Sequence, residues 1–172
     1  MSELSAAEVS PARAEVVRDF ARSELFDRTF QEGMELVEET AAYLDGEGRR
    51  DSKLLSRGGA LAYAGESMRL TTRLMQVASW LLVQRAVREG DMDPREACLP
   101  RYRVGAKAVC QAEGVEHVED LPEGLLILLE RSERLYERVM HLDRRMFLDE
   151  AAQDAPHPVL SQLERLQAAF GR

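Results

Sequence analysis

Large and small residues take turns on one helical stripe between Leu54 and Ala86. Leu54, Leu61, Met68, Met75 and Leu82 form the large set, and Gly58, Gly65, Thr72, Ser79 and Ala86 the small one. Alternating steps of four and three return to the same side of a helix with about 3.6 residues per turn, which makes this an a/d seam. Small residues at every second seam position let two backbones approach closely. Gly58, Leu61, Gly65, Met68, Thr72, Met75 and Ser79 are therefore expected at a close helix-helix packing, either within a bundle or across the two-fold axis of a homodimer. The seam carries no acid, base or metal ligand, so it builds a scaffold or an interface.

The same periodicity places the other elements. Ser23 is positioned to cap a first helix whose apolar face reads Phe26, Phe30, Met34, Val37, Ala41, Leu44 and which stops at Asp45-Gly46-Glu47-Gly48. The second helix, starting near Asp51 or Ser52 and free of proline before Pro94, is predicted to be a rod of about 57 Å. A third begins around Pro122, carries Leu125, Leu128, Ser132, Leu135, Val139, Leu142 and Met146 at seam spacing, and runs to Ala151. No convincing stretch alternates with period two. The pattern predicts an all-α fold, an antiparallel three-helix bundle over residues 23–151 with a long central helix.

Around that bundle the signals are weaker. Asp93, Pro94 and Glu96 have the layout of an N-cap, a first-turn proline and a capping-box acid, whereas residues 101–113 show no readable period. Residues 1–22 are read as a flexible arm in which Ser10-Pro11 is a possible helix start, although Val16, Val17 and Phe20 suit an extended strap equally well. Residues 152–172 are read as a flexible tail. Its two prolines, Pro156 and Pro158, precede a short amphipathic segment with Val159, Leu163, Leu166 and Phe170 on one side.

Composition narrows the function classes. With 45% hydrophobic and 31% charged residues in 172, the chain reads as one globular domain with a real core. A net charge of −8 repels nucleic acid and anionic lipid. Cys98 and Cys110 have no partner spacing for a zinc site or disulfide framework and read as reduced structural thiols. No apolar run reaches a membrane span and Met1–Ser10 has no secretory layout, which predicts a cytoplasmic protein without cofactor or metal.

Two clusters invite a functional reading. Glu66, Arg69, Arg73, Gln76 and Trp80 interrupt the second helix with residue types common at recognition hot spots. They face a partner, or they brace the bundle: in a hairpin turning at Gly46–Gly48, Asp27 lies level with Arg69 and Glu24 with Arg73. The tail residues Val159, Leu163, Leu166 and Phe170 dock on the parent bundle or fill a groove on another protein. His141, followed by Arg144 and Arg145, offers a rival reading as a histidine phosphotransfer bundle, against which a solvated surface histidine stands. His117 and His157 offer no spacing to each other, and no pair of Glu-x-x-His motifs indicates a di-iron site. Nothing points to a catalytic residue.

Longer motifs carry a resemblance. Gly33-Met34-Glu35-Leu36-Val37-Glu38-Glu39-Thr40-Ala41-Ala42-Tyr43-Leu44-Asp45-Gly46 and Ala62-Tyr63-Ala64-Gly65-Glu66-Ser67-Met68-Arg69-Leu70-Thr71-Thr72-Arg73-Leu74-Met75 resemble the RcdA family of proteolysis regulators in bacterial cell-cycle control. The likeness is close from Phe20 to Leu82, looser through Glu133-Arg134-Leu135-Tyr136, and returns in the tail. It implies a dimeric three-helix bundle without enzymatic activity. Such a protein acts as an adaptor that helps a ClpXP-type AAA+ protease, or its priming adaptor, degrade a cell-cycle transcription regulator, together with a second adaptor, at a cell pole. The adjacent Gly58-Gly59 departs from the family pattern and is expected to weaken the helix by roughly 1 kcal/mol per glycine.

Overall fold

The computed structural model describes residues 9–111 and 118–153. In chain order the helices are α1 (Pro11–Ala21), α2 (Glu24–Asp45), α3 (Glu47–Ser52), α4 (Arg57–Glu89), α5 (Pro94–Ala97), α6 (Lys107–Cys110) and α7 (Glu123–Gln153). Single 3₁₀ turns lie at Pro100–Tyr102 and Val118–Asp120. The long helices α2, α4 and α7 form the expected bundle, and no strand occurs among the described residues.

Several boundaries follow from caps written in the sequence. Ser23 accepts a hydrogen bond from the Phe26 N–H and starts α2. Gly90 closes α4 in the left-handed conformation, φ 84°, which glycine adopts without a Cβ penalty. Asp93 caps α5, its carboxylate 2.7 Å from the Arg95 nitrogen. The predicted α7 stripe faces the core: Leu125, Ser132, Leu135 and Val139 are fully buried.

Three expectations are corrected. Residues 11–21 are not a loose arm but a helix, capped by Ser10, that buries Val17 and Ala21 completely. Phe20, just ahead of the α1–α2 junction, lies 5.9 Å from the Phe26 ring and 5.5 Å from Trp80, so the apolar residues that suited a strap instead extend the aromatic core. The central helix begins at Arg57 rather than near Asp51, because Ser56 accepts from the Gly59 N–H. Gly58-Gly59 consequently sits in the first turn, where it costs less helix than an interior pair would.

The third correction concerns the α2–α4 register. Gly46 and Gly48 do not make a tight turn; the chain spends Glu47–Ser52 on α3 before entering α4. The added length shifts the pairing, so Asp27 is bridged by Arg88 instead of Arg69, and Glu24 pairs with Arg28 on its own helix. The two helices touch closely where Gly33 faces Leu81: a Cβ built at Gly33 would lie 2.6 Å from the Leu81 Cδ1. Gly48 does comparable work beside Tyr43, whose ring it approaches from one side while Gly124 of α7 approaches from another.

Candidate functional site

The charged stripe of α4 turns inward. Glu66, Arg73 and Trp80 are buried at 5%, 3% and 2% exposure, with Arg69 and Gln76 half-buried, so these residues brace the chain and do not present a partner surface. The hydrogen bonds of Arg73, Gln76 and Trp80 go not to α2, as the hairpin reading had it, but to α7 and the crossover that precedes it. Arg73 donates from Nε and Nη2 to the Cys110 carbonyl, 3.2 and 2.8 Å away. Its Nη1 donates to the Leu129 carbonyl and the Ser132 Oγ of α7. Gln76 Oε1 accepts from the Gly105 N–H, Tyr136 donates to the Gly105 carbonyl, and Trp80 Nε1 donates to Asp143, which also holds Arg103 at 2.9 Å. Glu66 and Arg69 pair with each other at 3.0 Å.

This arrangement satisfies the backbone of a segment with little periodic structure of its own, residues 100–111, by lending it side chains from two long helices. Burial pulls the Arg73 pKa down. Burial likewise pushes the Cys110 thiol up and the neighbouring Tyr136 phenol up to about 12. The thiol and the phenol are thereby held in their neutral forms, the thiol kept from the reactive thiolate, whereas the buried Arg73 guanidinium is sustained by the acceptors around it.

Leu61, Met68, Met75 and Leu82 of the large set lie on the opposite side of α4 and face out, while Leu54 falls in the turn before the helix and is exposed as well. Leu54, Leu61, Met68, Met75 and Leu82 are 86%, 69%, 70%, 62% and 51% exposed. The seam therefore does not pack inside the bundle. A Cβ added at Gly65 would meet nothing within 4 Å, so the close approach expected there is not made among the described residues. Beside the stripe, α2 and α4 enclose a groove of about 330 Å³ lined by Val37, Ala41, Leu44, Leu74, Met75 and Thr40. Met75 belongs to both, so stripe and groove form one continuous apolar surface.

The remaining candidates are quickly placed. His141 is exposed on α7 between the buried Met140 and half-buried Leu142. Cys98 and Cys110 are buried free thiols. Among the described residues no group of three or more His, Cys, Asp or Glu side chains could hold a metal ion, and no helix is long and apolar enough to cross a membrane. Val159, Leu163, Leu166 and Phe170 lie outside the described residues, as do His117 and His157. Sequence reasoning missed Asp143, Arg103 and Tyr136 as fasteners of the crossover; the signal for Asp143 and Tyr136 was seam spacing in α7, where they follow Leu142 and Leu135, and Arg103, in the aperiodic crossover, carried none.

Comparison with known proteins agrees with this architecture. Residues 17–170 match the model of a family described as protein of unknown function, DUF1465. A crystal structure of RcdA from Caulobacter crescentus CB15 is 70% identical in sequence, superposes with a TM-score of 0.63, and aligns over 76% of this chain and 98% of its own. No curated protein matches.

Proposed function

Since this chain belongs to the RcdA family, we propose that it is a non-enzymatic adaptor that brings a cell-cycle transcription regulator, and other cargo, to a ClpXP-type protease through protein-protein contacts. The observation that supports this reading is the exposed apolar surface of α4. A folded chain whose buried polar groups are tied down by Arg73, Asp143 and Tyr136 still leaves Leu61, Met68 and Met75 in water. Contiguous apolar exposure of this kind marks a site of association. In this reading the α4 face joins two copies into a homodimer.

Delivery needs a second contact, to the protease, its priming adaptor or a second adaptor. We assign it to the tail, with Val159, Leu163, Leu166 and Phe170 as a helix-in-groove element. Cytoplasmic location and concentration at a cell pole belong to the same proposal, with the partners supplying the address.

Truncation after Ala155 tests the division of labour. The bundle should melt at an unchanged temperature, since a short amphipathic helix is marginal by itself, while protease-dependent cargo turnover falls to the rate without adaptor. Changing Leu163, Leu166 and Phe170 to serine should reproduce the loss. Full delivery by the truncated chain would refute the assignment, and a lower melting temperature would show a clasp on the bundle instead.

A further inference from the structure

The boundary between α2 and α7 stays open at the end where α3 joins. A groove of about 370 Å³ lies there, with Ala42, the Tyr43 ring, Ile127 and Leu128 along it and Glu39 and Glu47 at its two ends. We infer that this groove docks a partner peptide of mixed character, one large apolar side chain flanked by lysine or arginine. The site goes beyond the adaptor reading and stands apart from the α4 surface and the tail, since its lining residues lie on α2, α3 and the first half of α7.

The apolar part of the site is preformed. Ala42 is exposed on α2, and Gly124 sits in the first turn of α7, so neither helix raises a large side chain over the groove. Ile127 is left 48% exposed beside the buried Leu128. The Tyr43 ring between them is fixed: a Cβ at Gly48 would come 2.5 Å from its Cε1, and one at Gly124 would come 2.5 Å from its Cε2. A ligand therefore loses no affinity to ordering this wall. Shallow and open along its length, the groove suits side chains of a peptide better than it encloses a small molecule.

Charge selects what accompanies the apolar side chain. Glu39 is bridged to Arg131 at 2.6 Å, which closes one end and ties α2 to α7. Glu47, exposed at the other end, forms no ion pair among the described residues, and Arg49 and Arg50 of the same short helix do not line the groove. Glu123 lies exposed one turn before Ile127 on the same side of α7. Burial, and after it the neighbouring Tyr63, Asp51 and Glu47, push the Tyr43 phenol up, which places negative charge beside the wall. The net charge of −8 draws basic segments and repels acidic ones over a longer range.

Fluorescence anisotropy of a labelled pentapeptide, a phenylalanine between two pairs of lysines, tests the site on the full-length chain. Saturable binding is expected, weakened about tenfold by Ile127→Ser and by Ala42→Trp, which fills the groove from an exposed position, and severalfold by Glu47→Lys. All three side chains are exposed, so the variants should melt like wild type. Met68→Ser on α4 should bind as wild type does, and peptides with glycine for phenylalanine, or glutamates for lysines, should not bind. No saturable binding by the wild-type chain overturns the proposal, as does equal binding of the glycine peptide or binding that survives both Ile127→Ser and Ala42→Trp. Loss of binding in Met68→Ser would move the peptide to the α4 surface. Severalfold tighter binding after truncation at Ala155 would make the tail the occupant, and altered sedimentation of Ile127→Ser would make it a second copy; each of these three results overturns the assignment. No protease enters this measurement, so its failure leaves the adaptor reading standing.

Discussion

Arg73 in the middle of α4 reaches across to the Cys110 carbonyl with two of its guanidinium nitrogens, at 2.8 and 3.2 Å. That contact, with those to Leu129 and Ser132, makes a buried cation the fastener between the long helix and the crossover. Arg73→Ala should destabilise the fold by about 2–4 kcal/mol, because it strands buried acceptors and removes charge-assisted bonds. For a chain of this size each kcal/mol lowers Tm by roughly 2–4 °C, so thermal melting followed by circular dichroism resolves the loss. A melting temperature equal to wild type would refute the bracing role.

Trp80 is the sole tryptophan, which makes its bond to Asp143 observable by itself. Asp143→Ala leaves the indole N–H without its carboxylate and releases Arg103, at a cost of about 2–3 kcal/mol. The expected signature is lower Tm together with altered tryptophan emission. Arg103→Ala, which spares the Trp80 bond, should change the emission much less.

The Tyr43 ring is gripped by glycines of α3 and α7. A Cβ at Gly48 or Gly124 would each come within 2.5 Å of a ring carbon. With one side closed by Gly48, the ring cannot retreat from a methyl at Gly124, so Gly124→Ala should cost about 1–3 kcal/mol despite the better helix propensity of alanine. Gly65→Ala, on the open face, should leave the bundle as stable as before or slightly more so; equal effects of the two substitutions on melting would contradict this packing.

Ala106 adopts φ 54°, the one positive φ among described non-glycine residues. Its side chain is exposed, so Ala106→Gly relieves the left-handed strain without opening a void. A stabilisation of about 1 kcal/mol is expected by urea unfolding. A loss of stability would show that the strain is not felt.

How far this structure is legible in the sequence depends on which physical signal each part carries. Ser23, Asp93 and Gly90 act through local hydrogen bonding and φ preference, which sequence exposes, and the α7 stripe has polar positions on its other side, so its burial follows from period alone. The helix α4 has two candidate faces. One is apolar, with Leu61, Met68 and Met75; the other mixes Leu70, Val77 and Leu81 with Glu66, Arg73 and Trp80. Period cannot decide which goes inward. The choice is made by partners distant in sequence, the Cys110 carbonyl and Asp143, which convert charged and polar side chains into satisfied interior groups. The α2–α4 register was hidden for a similar reason: Gly46 and Gly48 read as a turn, yet Gly48 is demanded by the Tyr43 ring inside a further helix.

The adaptor reading is tested most directly by the half-life of a purified cell-cycle regulator incubated with ATP, a ClpXP-type protease and its priming factor, with and without this chain. The folded chain should shorten the half-life severalfold, in a saturable manner, and leave the cargo intact when the protease is omitted. A half-life unchanged at saturating concentrations of the folded chain would contradict that reading.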